Sequence, residues 1–316
     1  MIDPALPGLR TALDPAAIGQ RLGVRVDAVE VLQHKAGRRC VVAYETDDGP
    51  LVGKLRAGHR ATTPFRLMQR FTDSGFGADA PDGIIVAQPV AVLEDLQMWV
   101  QTRVSGRPAH TLLRDPGTAV DVARRAAAVA NKIHGSGVPA RRRHLVGDEL
   151  RVLRDRLEDL ARDRPSLAAR LRTLMRASEQ RAAAAGDLAH RGGPRGIHRD
   201  FYAEQLVVDG PRVAVLDFDL YCEGDPALDI GNFLGHLTEH ALRTMGSADA
   251  LADAEAACRD TFADLAGEQH RAAVDVYADL TLVRHVALSH VLPGRSRTTD
   301  DLLALCEQRL GLLTHR

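Results

Sequence analysis

The sequence predicts an α+β chain in which a small antiparallel sheet precedes a larger, mainly helical region. Three observations carry that expectation. Residues 26–33, Arg39–Thr46 and Leu51–Arg56 are rich in β-branched and apolar residues, and Asp47-Asp48-Gly49-Pro50 is turn chemistry between the second and third. From Ser105-Gly106-Arg107-Pro108 onward the apolar spacing becomes helical. No internal repeat and no low-complexity tail interrupts either region.

In chain order, residues 14–22 form a short opening helix, followed by the three strands. Residues 64–72 are helical by apolar spacing, with Phe65, Met68 and Phe71 on one face. Two more strands, 90–94 and 98–104, are joined by a tight Glu94-Asp95-Leu96-Gln97 link. A helix over 118–134 stops at Gly135-Ser136-Gly137. Residues 145–185 read as two helices broken near Asp163-Arg164-Pro165, their basic residues alternating with acids at helical spacing as on a solvated face. Beyond Asn232 the chain is again mostly helical, with a loop at Pro293-Gly294-Arg295. The expected division is residues 1–103, a hinge over 101–108, and a helical part over 104–316.

Length and composition set the limits. A chain of 316 residues with 45% hydrophobic residues can bury a sizeable core without disulfides. Formal charge −1 gives no global case for nucleic acid or an anionic membrane, and neither partner is expected. Cys40, Cys222, Cys258 and Cys306 form no CxxC pair and read as reduced thiols. The opening Met-Ile-Asp-Pro-Ala-Leu-Pro-Gly lacks a basic start with an apolar run, so no signal peptide is expected. No apolar stretch approaches membrane-spanning length. The expectation is a cytoplasmic protein, monomer or homodimer.

The chemistry-bearing residues lie between His198 and Asp229. His198-Arg199-Asp200 is followed by Gln205, then by Val215-Leu216-Asp217-Phe218-Asp219, then by Gly224-Asp225-Pro226 and Asp229. Residues 206–208 and 213–216 read as a hairpin through Asp209-Gly210-Pro211, which brings Asp200, Gln205 and Asp217 near one another. Acid, amide and acid in that order suit phosphoryl transfer from a metal-bound nucleotide, whose charged transition state needs positioning and cations more than covalent chemistry. Asp200 would accept the proton of the attacking hydroxyl. Magnesium asks for a few protein oxygens and takes the rest from phosphate and water. A hairpin whose acids merely cap turns is the competing reading, and the later Gly-Asp-Pro block argues against it.

This segment resembles the motif of the aminoglycoside phosphotransferase and choline kinase-like families, at His198, Asp200, Asp217, Phe218, Asp219, Gly224, Asp225, Pro226 and Asp229. The resemblance implies a bilobal protein-kinase-like fold. It implies Asp200 as catalytic base, Asp217 as principal magnesium ligand, Asp219 as an additional ligand, and His198 and Asp229 as structural residues. Gln205 stands where the families have Asn, and its extra methylene displaces the metal-binding carbonyl. Inactive relatives usually lose the base or the principal ligand, and both remain here. A catalytically weak nucleotide-binding pseudokinase is the alternative. A protein kinase is disfavoured, because no activation segment fits between Asp219 and Gly224.

The first region agrees more loosely. Lys54 falls where such kinases place the lysine that grips phosphates, and it is one of only three lysines beside 38 arginines. The helix that normally supplies a glutamate partner offers Gln69 instead, with Asp73 as a substitute acid. The link His34-Lys35-Ala36-Gly37-Arg38-Arg39 stands where a phosphate-covering loop belongs; it lacks GxGxxG, and Arg38 is its candidate phosphate contact. Gln101, at the hinge, is the remaining candidate nucleotide contact. The implied cofactors are ATP (or GTP) and Mg2+.

Asp217-Phe218-Asp219 also spells a glycosyltransferase DxD, but the upstream His198–Asp200 block has no role there. The thirteen histidines show no HExxH and no clean pairing with cysteines, and zinc is not expected. For the hydroxyl acceptor the candidates are His236, Glu239, His240, Asp260, Asp264 and His285. Residues 236–316 hold twelve acids against eight arginines, so a mildly acidic, His-bearing pocket for a cationic or polyhydroxylated acceptor is expected. A sugar, an aminocyclitol and a natural product all qualify.

Overall fold

The computed structural model describes residues 2–312 apart from His59 and Ala184. Its helices are α1 (Leu9–Ala12), α2 (Pro15–Leu22), α3 (Thr62–Phe71), α4 (Pro116–Gly135), α5 (Val146–Asp163), α6 (Ala168–Ala183), α7 (Pro226–Met245), α8 (Ala252–Ala266), α9 (Arg271–Val291) and α10 (Thr299–Arg309). Its strands are β1 (Val26–Lys35), β2 (Arg39–Thr46), β3 (Leu51–Arg56), β4 (Ile84–Val86), β5 (Pro89–Leu93), β6 (Met98–Thr102), the two-residue β7 (Arg107–Pro108) and β8 (Arg143–His144), β9 (Arg195–Ile197), β10 (Leu206–Asp209), β11 (Arg212–Val215) and β12 (Cys222–Gly224). The α+β expectation of an antiparallel sheet followed by a mainly helical region is borne out. No helix among the described residues is long and apolar enough to cross a membrane.

The chain divides into two compact units, Met1–Gly106 with Val207–Asp219, and Arg107–Leu206 with Leu220–Arg316. This differs from the expected boundary at residue 103, chiefly because Val207–Asp219 returns to the first unit. The cause is β4, a strand the sequence analysis did not anticipate. It pairs in parallel with β11, Val86 opposite Val215, and so ties the segment before Asp217 to the first unit.

In that unit the five-stranded antiparallel sheet runs β1-β2-β3-β6-β5. Alternating inward residues Cys40, Val42 and Tyr44 of β2 pack with Leu55, Met98, Val100 and the apolar faces of α1 and α2. The Tyr44 hydroxyl donates to the Ala12 carbonyl at 2.9 Å, which satisfies the one polar atom the ring carries inward. Helix α2 starts as the sequence suggests, with Asp14 accepting from the N–H groups of Ala16 and Ala17.

In the second unit α7 packs along α9, and glycine permits the approach. A Cβ on Gly231 would overlap Tyr277 Cβ, and one on Gly235 would lie 2.7 Å from Thr281 Cβ. Asp225 caps α7 through the Ala227 N–H (3.1 Å) and also takes the guanidinium of Arg191. The four cysteines are buried and form no disulfide.

Candidate active site

The first unit gathers a cation and two acids. Lys54 lies on β3 directly opposite Trp99 on β6, and Arg56 on β3 lies opposite Arg39 on β2. Residues 54 and 56 share a sheet face because strand side chains alternate. Asp217 and Asp219 follow β11, and they line a cavity of about 90 Å³ together with Arg39, Lys54, Arg56 and Trp99. An adjoining space of about 20 Å³ is lined by Lys54, Met68, Trp99, Gln101 and Asp217. The ring of Phe218 seats this turn against Phe71 of α3, with centroids 4.2 Å apart.

Three cations, Arg39, Lys54 and Arg56, face two carboxylates in this cavity. The Arg56 guanidinium is ion-paired with Asp219, whose N–H donates to Asp217 Oδ1 at 3.3 Å. Asp217 holds the left-handed conformation (φ 57°), uncommon for a residue with a side chain and best tolerated by Asp and Asn. Burial, and then the neighbouring Asp217 carboxylate, push Asp219 upward from the ordinary carboxylate range against the pull of Arg56 and Lys54. Burial likewise pushes the Lys54 ammonium downward, while Asp217 and Asp219 hold it up. The Lys54 Nζ lies 6.0 Å from the Trp99 ring centroid. Gln101 Oε1, Trp99 Nε1 and Arg39 Nε are buried without a hydrogen-bond partner.

Two expectations for this unit need correction. Gln69 is exposed and does not line the Lys54 cavity; one step beyond Met68 turns it about 100° around the helix. Asp73 is exposed as well. Arg38 is exposed in the turn after β1, whereas Arg39, the first residue of β2, lines the cavity. Arg39, Arg56 and Trp99 therefore line this cavity without having been expected there from the sequence. For Arg56 a signal existed, since it lies two residues beyond Lys54 on one strand.

The second unit presents Asp200. Its loop hangs on Asp229, a fully buried carboxylate on the first turn of α7. Asp229 accepts from the His198 N–H (2.9 Å), the Arg199 N–H (2.7 Å) and His134 Nε2 (2.9 Å). Those bonds fix Arg199 in the left-handed region (φ 72°) immediately before Asp200. Asn232, one turn on, donates to the Phe201 carbonyl at 3.2 Å. Gln205 closes the short helical turn Ala203–Gln205 and is buried.

Asp200 lines a cavity of about 340 Å³, within the range of small-molecule sites. Of the acceptor candidates, His236, Glu239, His240 and His285 line it. Asp260 and Asp264 do not: Asp260 pairs with Arg271 at 2.8 Å, and Asp264 is exposed. The Tyr202 ring stacks on His236 (4.4 Å), which meets His285 edge-on at 4.3 Å. Burial pushes His236 and His285 well below the usual imidazole range and His240 down to about 4, so all three are neutral at pH 7. The acid count of residues 236–316 does not describe this cavity, which takes arginines from other segments as well.

The model of the phosphotransferase enzyme family, APH, matches residues 30–277. The chain belongs to this family. It is a small-molecule phosphotransferase, and its fold is the kinase-like one of the solved structures it resembles. A choline/ethanolamine kinase family protein of Mesorhizobium loti superposes with TM-score 0.59 at 14% identity, over 96% of this chain and 93% of that one. Aminoglycoside phosphotransferase APH(4)-Ia gives 0.61 at 12%, over 94% and 97%. Amicoumacin kinase hAmiN, solved with AMP-PNP, Ca2+ and Ami, gives 0.61 at 12%, over 97% and 99%. No curated protein matches the chain.

Proposed function

We propose that this phosphotransferase moves the γ-phosphoryl group of a nucleoside triphosphate, ATP or GTP, to a hydroxyl of a small molecule. The observation that carries the reading is the convergence of Lys54, Asp217 and Asp219 on one cavity. Two adjacent carboxylates in a desolvated place favour a bound cation, and their oxygens are the hard donors magnesium prefers. Asp217 and Asp219 would hold it, with the Gln205 amide oxygen as a further donor. When bound, Mg2+ supplies charge neutralisation at the phosphate oxygens. The nucleotide and Ca2+ in the hAmiN structure support the same reading.

The chain's own residues then divide the work. Lys54 offers a point charge to the nucleotide phosphates, and Arg39 adds a donor through its unpartnered Nε. A cavity of about 90 Å³ suits phosphate oxygens and a metal rather than a whole nucleotide. Asp200 accepts the proton of the acceptor hydroxyl. The acceptor oxygen bonds to the γ-phosphorus as the bond to the β–γ bridging oxygen breaks, giving a phosphate monoester and the nucleoside diphosphate.

The test is diphosphate release with Mg-ATP across a panel of hydroxylated acceptors, expected to require both metal and acceptor. Tight nucleotide binding with no turnover of any acceptor would favour the pseudokinase instead. Gln205→Asn probes the amide position separately. Shortening the side chain should lower the magnesium concentration needed for half-maximal turnover; an unchanged dependence would remove Gln205 from the metal site.

A further inference from the structure

The cavity beside Asp200 carries more cation than acid. Arg243 and Arg295 both bind Glu239, at 2.7 and 3.4 Å, so one carboxylate is shared by two guanidiniums. Arg284 bonds the neutral amide of Asn232 and lies 3.5 Å from Glu149, which His144 already engages at 2.6 Å. Its Nε is buried without a partner, as are Nε2 of His240 and of His285. Arg156 and Arg199 also line the cavity, and neither makes an ion pair among the described residues. Against these stand Asp200 and Glu204; Glu204 and Arg156 are both exposed.

The histidines report the same field from three positions. His285 is lowered by burial and then by Arg284, Arg295 and Arg243. His236 is lowered by burial, then by His285 and the same arginines. His240 is lowered by burial and next by Arg243, with Glu239 pulling the other way. The walls between these groups are apolar, including Leu113, Phe233, Leu237 and Leu288. A polyamine entering this space would meet like charge, whereas an anion would find guanidinium forks and unpartnered imidazole nitrogens.

We infer that the acceptor carries an anionic group, a carboxylate or a phosphate ester, beside its reacting hydroxyl. The inference rests on the phosphoryl-transfer reading for the hydroxyl, but the anion preference is separable from it. Arg156, Arg199 and Arg284 line the cavity and would take the anion, although Arg199 also acts on the buried Glu149 carboxylate. Asp200 would remain the proton acceptor at the hydroxyl end.

Binding is measured by calorimetry with the full chain and Mg-ADP, using matched probes: glycerol, glycerate and glycerol phosphate; glucose, glucuronate and glucosamine. The acidic member of each set should bind at least about tenfold tighter than its neutral partner, and the preference should weaken with added salt. The two acidic classes separate carboxylate from phosphate. Arg156→Gln with Arg199→Gln should erase the preference while leaving ATP affinity unchanged, and Arg156→Gln alone should weaken it. Glucosamine or the neutral members binding as well, an unchanged preference in the double variant, or no binding by any probe would each overturn the inference. Turnover of neutral acceptors would overturn it and leave the kinase reading standing. Anion binding without phosphoryl transfer to any probe would do the reverse.

Discussion

Asp200→Asn should lower acceptor phosphorylation by about 10²–10⁴-fold, the range in which a positioned general base contributes. Asparagine keeps the size and the hydrogen-bonding oxygen but cannot take a proton. The loop should not move, because its anchor is Asp229, which holds the adjacent N–H groups of His198 and Arg199. ATP affinity and thermal stability should therefore match the wild type. Steady-state diphosphate release with the best acceptor, run beside calorimetric ATP binding, checks both halves. Equal turnover in the variant would mean that Asp200 is not the base.

Asp229→Ala should be the most damaging substitution for stability. Its carboxylate is fully buried and satisfies two backbone donors and a histidine. Removing it leaves two buried donors and one part-buried donor unpaired, the buried ones costing about 1–3 kcal/mol each, so a loss of roughly 3 kcal/mol is expected. Activity should fall as well, since Arg199 would lose the bond that holds its left-handed backbone next to Asp200. Asp229→Asn keeps one acceptor oxygen and should fall between the two. Thermal melts of the three proteins give the ranking; an unshifted melting temperature in the alanine variant would show that the loop has another anchor.

The fold was largely legible because its signals are local. Strands β2 and β3 follow from β-branched residues around a Gly-Pro turn, and the break between α5 and α6 follows from Pro165. Strand β4 was not legible. Its three residues show no period, and its partner β11 comes from far along the chain. The site divides the same way. Lys54, Asp217 and Asp219 were named from motif and residue scarcity, and the structure brings them to one cavity. Gln69 failed on helix phase and Arg38 on a one-residue difference between turn and strand. The charge around the cavity beside Asp200 was not legible for a long-range reason: its arginines come from α5, the Asp200 loop, α7, α9 and the loop after α9, so a count along one segment does not describe it.

Asp217, Asp219 and Lys54 together would hold a metal-bound triphosphate. The most direct measurement is a calorimetric ATP titration with and without Mg2+, on the wild type and on Asp217→Asn. Wild-type ATP binding should strengthen at least about tenfold with Mg2+, a gain of about 1.4 kcal/mol or more, and the variant should lose this gain while still binding ATP weakly through Lys54. Metal-independent binding in the wild type, or an undiminished metal effect in the variant, would contradict it.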